Sequence, residues 1–222
     1  MNTIIQTFDW QTISYQKAWN QQEALFNEII AEKLKGNLTS NYLIFCEHPH
    51  VFTLGKNGVI ANLLINQSQL KTAKAEFIQT NRGGDITYHG PGQLVGYPIF
   101  DLDNFKVGLK QFINIMETAI IEVLEQYDIH AERMPKATGV WLDCDQPTRS
   151  RKICAIGVRS SHFVTMHGFA LNVSTDMSYF SYIHPCGFVD KGVTSIQQEL
   201  GRPVDMSEIK IKVEESFRKY FV

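Results

Sequence analysis

The chain has 222 residues, of which 44% are hydrophobic and 20% charged, as in an ordinary folded globular protein. Its 21 basic and 23 acidic residues nearly cancel, so the composition gives no case for nucleic-acid binding or a polybasic membrane anchor. The amino terminus lacks a secretory signal, and no apolar run reaches the length of about 18 residues that a membrane span needs. Because the four cysteines are irregularly spaced, we expect free thiols and a cytoplasmic protein. We also expect a single domain over residues 1–222.

Hydrophobic periodicity predicts three helices and several short strands. In chain order these are a helix at about 15–35, strands at 42–46, 76–80 and 93–100, a helix at about 107–127, strands at 139–142, 153–159 and 168–173, and a final helix. That helix begins near Asp205, and Glu208 three residues later predicts a capping box. Since the order is not a regular βαβ alternation, we expect a mixed α+β sheet with helices packed on one side.

The segment 82–93, RGGDITYHGPGQ, is unusually rich in glycine. Glycine permits positive φ angles and lets backbone approach a ligand closely. Neither the P-loop nor the dinucleotide-binding glycine spacing is present. A glycine-rich hairpin with a solvated arginine is one interpretation, but the neighbouring Arg82, Tyr88 and His89 favour a ligand-facing loop.

Two further residues suit nucleophilic catalysis. Lys152 opens an apolar strand, where it either reaches solvent or is an amine held in a pocket that lowers the pKa of a neighbouring thiol. Cys186 follows a proline and precedes a glycine, so it is either a nucleophile on a tight turn or a buried structural thiol. The histidines and cysteines lack the paired spacing of zinc sites, so we expect no metal.

Six segments together resemble the octanoyltransferase family, also called lipoyl(octanoyl) transferases, in order and approximate spacing over nearly the whole chain. They read RGGDITYHGPG, QLVGYPIFDL, KATGVWLD, KICAIGVR, HGFALNV and PCGF. The resemblance implies an α+β fold shared with biotin protein ligases and lipoate–protein ligases. That fold has a large mixed β-sheet flanked by helices and a small second sheet.

The resemblance also implies an activity and its partners. An octanoyl group would pass from octanoyl-acyl carrier protein to a specific lysine of lipoyl domains, in the E2 subunits of 2-oxoacid dehydrogenases and in the glycine cleavage H protein. This is the first step of endogenous protein lipoylation. Since a thioester already carries the energy of the acyl group, neither ATP nor another cofactor is expected, and no nucleic acid or membrane takes part.

Residue roles carry over from the family motifs by position. The family's nucleophile matches Cys186, and the lysine that lowers the pKa of its thiol matches Lys152. The acyl-binding segments match Arg82, Gly83, Gly84, Asp85, Ile86, Thr87, Tyr88 and His89, then Ala155, Ile156 and Gly157, and then Gly168, Phe169 and Ala170. Two departures are mild, because Cys154 and Phe163 replace residue types that are more common in relatives but bear no assigned role.

Four alternatives remain open from the sequence. An ATP-dependent lipoate–protein ligase of the same fold would not need a cysteine in the PCGF segment. An amidotransferase would move the octanoyl group between protein lysines, and a thioesterase would use water in place of the amine. A non-catalytic module would bind the carrier protein or the lipoyl domain without forming a thioester.

Overall fold

The computed structural model describes residues 1–146, 148–185 and 191–221, in which helices and strands alternate irregularly. The strands are β1 (Ile5–Thr12), β2 (Asn41–Glu47), β3 (Val51–Leu54), β4 (Glu76–Gln79), β5 (Ile86–His89), β6 (Gln93–Ile99), β7 (Glu132–Met134), β8 (Ala137–Leu142), β9 (Arg151–Ser161), β10 (Val164–Asn172) and β11 (Gly192–Val193). The helices are α1 (Tyr15–Leu34), α2 (Gln67–Thr72), α3 (Leu109–Glu125), α4 (Ile196–Leu200) and α5 (Met206–Tyr220). Short 3₁₀ turns occur at Ile60–Asn62, Leu102–Phe105 and Met177–Tyr182.

The strands form one large and one small sheet. The large sheet has eight strands in the order β1-β2-β6-β10-β9-β8-β7, and β11 pairs with one end of β9. Its β1–β2 and β9–β11 pairs are parallel, and the other pairs are antiparallel. The small sheet has the order β4-β3-β5. This arrangement confirms the expected α+β class, with a large mixed sheet and a small second one.

Helices cover both faces of the large sheet, so the expectation that they pack on one side is wrong. In β2, Leu43 and Phe45 belong to the core cluster that contains α3 and α5, whereas Ile44 and Cys46 belong to the cluster that contains α1. Successive side chains of a strand point to opposite faces of the sheet. A central strand with apolar residues at successive positions, as at 43–46 of β2, must therefore be covered on both faces.

Helices α1 and α3 begin and end within two residues of their predicted bounds, and α5 begins one residue after Asp205, but the predicted capping box of α5 is wrong. Asp205 does cap the helix, because its carboxylate accepts a hydrogen bond of 2.8 Å from the Ser207 N–H. The carboxylate of Glu208 instead accepts a 2.7 Å hydrogen bond from the Tyr127 hydroxyl. Glu208 therefore ties α5 to the residues that follow α3.

Among the described helices, none has both the length and the apolar character to cross a membrane.

Candidate active site

A cavity of about 420 Å³ lies where the α1 face of the large sheet meets the small sheet. Val95 and Ala170 contribute to its wall from the core cluster beneath α1. Ile86 and Phe180 contribute from the cluster of the small sheet. Its volume falls in the range of about 300–1,000 Å³ that is typical of small-molecule sites.

Most of the glycine-rich segment borders this cavity. The bordering residues are Arg82, Gly84, Asp85, Ile86, Thr87, His89 and Gln93. Tyr88, although predicted to bind substrate, does not border the cavity. Its ring stacks on Tyr179 with centroids 4.8 Å apart, and its hydroxyl lies 2.7 Å from Nδ1 of His50. Tyr88 pairs with Phe52 of β3, and this pairing directs it into the core of the small sheet.

The glycine-rich segment crosses β9 with backbone packed against backbone. The Gly83 N–H donates a 3.0 Å hydrogen bond to the Val158 carbonyl oxygen. A Cβ on Gly157 would lie only 2.8 Å from the Gly83 carbonyl oxygen, so this crossing requires glycine at position 157. Gly83 thus supports the cavity wall without bordering the cavity itself.

The two other predicted acyl-binding segments face each other on neighbouring strands. Ala155, Ile156 and Gly157 of β9 pair with Ala170, Phe169 and Gly168 of β10, respectively. All six residues border the cavity. The structure therefore brings the glycine-rich segment together with two segments of a hairpin much later in the chain.

Lys152 is buried at the same cavity and is held by its neighbours on β8. Its Nζ lies 4.6 Å from the centre of a Trp141 ring. Gly139 of the same strand, at φ 118°, is also close, because a Cβ added there would be 3.5 Å from Lys152 Cε. The lysine stem thus lies beside two residues of β8, and the side chain contributes to the wall of the cavity.

Cys186, the predicted nucleophile, lies outside the described residues. Pro185, which immediately precedes it in the chain, borders the cavity. Val193 of β11, beyond the undescribed residues, also borders the cavity. The described chain on either side of Cys186 thus reaches the cavity that Lys152 borders.

Arg82, Tyr15 and His89 form a polar part of the wall. Nη2 of Arg82 donates hydrogen bonds to the carbonyl oxygen and the hydroxyl of Thr53 at 2.6 and 2.9 Å, which orient the guanidinium group. The rings of Tyr15 and His89 stack with centroids 5.6 Å apart. Burial lowers the pKa of His89 well below its usual range and raises the pKa of Tyr15 to about 12. Both rings are therefore neutral at pH 7, and they lie beside the guanidinium group of Arg82, which Thr53 orients.

A series of hydrogen bonds connects this polar wall with the strand that carries Lys152. Nδ1 of His89 donates to Oε1 of Gln93, and Nε2 of Gln93 donates to Oδ1 of Asn172, both at 2.8 Å. Nδ2 of Asn172 donates to the Thr194 carbonyl oxygen at 2.9 Å, and the Thr194 N–H donates to the Lys152 carbonyl oxygen at 3.0 Å. Gln93 and Asn172 were not predicted as site residues, although both lie in the family-like segments.

His167 also borders the cavity and was quoted in a family-like segment without a role. It has φ 60°, which is uncommon for a residue with a side chain. Its Nε2 donates to Oδ1 of Asn81 at 2.7 Å, and burial lowers the pKa of the imidazole to about 3. No pattern in the sequence distinguishes His167 or Tyr15 as cavity residues, because folding alone brings them there.

The thiols in the described part of the chain are poor nucleophiles. Cys154 and Cys46 are buried, neither borders the cavity, and burial raises the pKa of both thiols. Burial and the nearby Glu132 carboxylate raise the pKa of Cys144 to about 11. Since the thiolate is the reactive form, none of these three cysteines suits covalent catalysis near neutral pH.

Comparison with known proteins identifies the family. Residues 14–218 match the model of the lipoyl protein ligase A/B catalytic domain. An octanoyltransferase from Bacteroides fragilis (strain YCH46) is 58% identical over 210 residues, which cover 95% of this chain and 94% of that protein. The chain belongs to the octanoyltransferase family. This confirms the family resemblance of the sequence motifs, and octanoyltransferases are enzymes of the acyltransferase class.

Solved structures of two kinds of ligase share the fold of this octanoyltransferase family member. A bipartite lipoate protein ligase from Thermoplasma acidophilum aligns with a TM-score of 0.69 and 15% identity, over 97% of this chain and 82% of that chain. A biotin protein ligase from Aquifex aeolicus aligns with a TM-score of 0.52 and 13% identity, over 98% of this chain and 70% of that chain. At such identities the likeness concerns the fold alone, and it confirms the predicted fold class.

Proposed function

We propose that the enzyme transfers an octanoyl group from octanoyl-acyl carrier protein to a specific lysine of lipoyl domains, through a thioester on Cys186 with the assistance of Lys152. The observation that carries this proposal is the single cavity bordered by Lys152, by the three predicted acyl-binding segments and by Pro185 next to Cys186. The octanoyltransferase relative at 58% identity supports the choice of acyl group.

The cavity wall is suited to an alkyl chain. Ile86, Val95, Ile156 and Phe180 offer apolar surface, and the small residues on β9 and β10 leave room beside them. Burial of a CH₂ group contributes about 0.8 kcal/mol, so the seven carbons beyond the carbonyl contribute about 6 kcal/mol. In this proposal, the buried chain holds the thioester carbonyl near position 186.

In the first step, the Cys186 thiolate attacks the carbonyl carbon of the donor thioester. A carbon–sulfur bond to Cys186 forms, and the carbon–sulfur bond to the phosphopantetheine arm breaks. The carrier protein leaves as a thiolate and takes up a proton from the Lys152 ammonium group, so Lys152 becomes a neutral amine. The Lys152 ammonium favours the anionic form of Cys186, because a nearby cation lowers the pKa of a thiol.

In the second step, the amine of the acceptor lysine attacks the enzyme thioester. A carbon–nitrogen bond forms, Cys186 leaves as a thiolate, and the neutral amine of Lys152 takes up the proton lost by the acceptor amine, which restores the ammonium group beside the thiolate. The product amide is more stable than the thioester, so this step needs no ATP. The proposed acceptors are lipoyl domains of 2-oxoacid dehydrogenase E2 subunits and the glycine cleavage H protein. The proposed location is the cytoplasm, where thiols stay reduced.

The proposal is tested by mixing the enzyme with octanoyl-acyl carrier protein and an unmodified lipoyl domain, with and without ATP. We expect octanoylation of one lysine of the lipoyl domain at the same rate in both samples. Free octanoic acid with ATP is the matched control, and we expect no product from it. A reaction that requires ATP and accepts the free acid would instead indicate a ligase.

A further inference from the structure

We propose that Asn62 is a positioning residue, which holds the chain before Cys186 at the cavity and is itself oriented by Asp85. This inference rests on the proposed role of Cys186 and adds two side chains to the machinery that places it. Asp85 was predicted to bind substrate, and Asn62 was not predicted at all.

The carboxylate of Asp85 is engaged by three donors of the protein. Its Oδ1 accepts hydrogen bonds from the N–H groups of Val59 at 3.0 Å and of Ile86 at 2.7 Å. Its Oδ2 accepts a 2.6 Å hydrogen bond from Nδ2 of Asn62. One carboxylate in the glycine-rich segment thus binds both ends of the 3₁₀ turn Ile60–Asn62. Hydrogen bonds to a charged acceptor are about twice as strong as neutral ones.

Backbone hydrogen bonds join the residues around Asn62 to the chain that leads to Cys186. The Asn62 carbonyl oxygen accepts a 2.9 Å hydrogen bond from the His184 N–H, and the Leu64 N–H donates at 2.9 Å to the Tyr182 carbonyl oxygen. Between these two bonds, Leu63 and Ile183 form an isolated antiparallel bridge. Residues 62–64 and 182–184 are therefore paired like two short strands, and we call this pairing the clamp.

Apolar packing anchors the clamp in the small sheet. Ile183 is buried in the cluster that contains Ile86 and Phe180, and Leu63 packs against that cluster. Ile86 and Phe180 border the cavity, as does Pro185, the first residue beyond the clamp. Asp85 therefore gives one common support to the acyl-binding wall and to the chain before Cys186.

A displacement of the clamp would move residue 186 relative to Lys152. A misplacement of about 1 Å in a reacting group can slow a reaction by about 100-fold. We therefore expect Asp85→Asn or Asn62→Asp alone to slow thioester formation by about 10- to 100-fold. The first substitution removes the charge and leaves one acceptor oxygen at position 85 for three donors, which weakens the bond between the side chains. The second opposes two carboxylates, which have no donor between them, and removes the bond.

The decisive test combines both substitutions in one chain. With Asp85→Asn and Asn62→Asp together, an amide at position 85 again pairs with a carboxylate at position 62. We expect this double variant to recover most of the rate of thioester formation. Asn62→Ala removes the donor without adding charge and serves as a second single variant if either of the others fails to fold.

The readouts separate positioning from mere stability. The first is the rate of thioester formation from octanoyl-acyl carrier protein, and the second is the pH midpoint of Cys186 alkylation by iodoacetamide. We expect the midpoint to rise towards that of a free thiol in each single variant and to return in the double variant. Asn66→Ala is the matched control, because Asn66 caps α2 nearby. It should lower thermal stability without changing the midpoint.

Single variants that keep the wild-type rate of thioester formation and the wild-type pH midpoint of alkylation would overturn the inference. It would also be overturned if the single variants were slow with an unchanged midpoint and the double variant did not restore the rate. The failure of the proposed function gives a different result, since the wild-type enzyme would then form no thioester at Cys186. The two failures are therefore distinguishable in the same set of experiments.

Discussion

Lys152 and Trp141 lie directly opposite each other on β9 and β8, and the lysine Nζ is 4.6 Å from the centre of an indole ring. The ring is fixed in turn, because its Nε1 donates a 2.9 Å hydrogen bond to the Ala137 carbonyl oxygen. A cation over a buried aromatic face is stabilised by about 1–2 kcal/mol. Trp141 thus holds the Lys152 ammonium group at the cavity wall.

In the proposed mechanism, in which Lys152 assists the transfer, replacing this aromatic face should slow the reaction. We expect Trp141→Leu to lower the rate of octanoyl transfer by about 5- to 30-fold, which corresponds to the energy of the lost cation–π contact. Trp141→Phe retains an aromatic face and should give an intermediate rate. The rates are measured with saturating donor and acceptor, with Trp10→Leu on β1 as the control. A wild-type rate for folded Trp141→Leu would show that the indole does not position the lysine.

The crossing of the glycine-rich segment over β9 predicts a strong effect of a single methyl group. Gly157→Ala would place a Cβ 2.8 Å from the Gly83 carbonyl oxygen and 3.4 Å from Arg82 Cδ. Such overpacking costs about 1–3 kcal/mol, and the displaced loop should raise KM for the octanoyl donor about tenfold. Gly108→Ala is the matched control, since nothing lies within 4 Å of its added Cβ. Equal KM values for the two variants would refute the predicted contact.

Cys144 should resist alkylation at neutral pH although it is partly exposed. Burial and the Glu132 carboxylate raise its pKa to about 11, so only about 0.01% of the thiol is ionised at pH 7. Peptide mapping after iodoacetamide treatment at pH 7 and pH 9 should find Cys144 modified only at the higher pH, and Glu132→Gln should increase that modification. Alkylation at pH 7 as fast as that of a free thiol would contradict the raised pKa.

Buried histidines should make the fold sensitive to acid. Burial lowers the pKa of His48 to about 4, against about 6.5 when the chain is unfolded. Below pH 6.5 the unfolded chain takes up a proton that the folded chain resists, so stability falls as the pH drops towards 4. For His48 alone, the free energy of unfolding should fall by about 2 kcal/mol between pH 7.5 and pH 5.

Urea unfolding at several pH values measures this loss. His48→Gln removes the titrating ring and should flatten the dependence between pH 7.5 and pH 5, whereas His162→Gln at an exposed position should leave it unchanged. The same slope in wild type and His48→Gln would mean that His48 takes up its proton over the same pH range in the folded and the unfolded chain, which would contradict the lowered pKa.

The helices were predictable from the sequence because their signal is local. The apolar stripe of α3 recurs along one continuous segment, and its predicted ends are correct to two residues. The strand β5 was not predicted, because it forms by pairing with β3, whose four residues show no alternation. The predicted role of Glu208 in a capping box was also wrong because of a contact that is distant in the sequence. The hydroxyl of Tyr127, from another part of the chain, donates to its carboxylate.

The family motifs indicated most of the cavity wall, because the residues they align meet at the β9–β10 pair and at the glycine-rich segment. They did not distinguish residues that border the cavity from residues that support it, such as Gly83 and Tyr88. That distinction depends on which way each side chain points after folding. Tyr15 and Asn62 were missed because only the packing of α1 and of the clamp brings them to the site.

The most direct test of whether Cys186 carries the acyl group is intact-mass analysis of the enzyme incubated with octanoyl-acyl carrier protein and no acceptor. We predict one octanoyl adduct per chain, mapped to the peptide that contains Cys186. The adduct should be absent in Cys186→Ala, retained in Cys154→Ala and formed much more slowly in Lys152→Ala. An adduct mapped to Cys154 or Cys144, or no adduct under conditions where the complete reaction proceeds, would contradict the proposed mechanism.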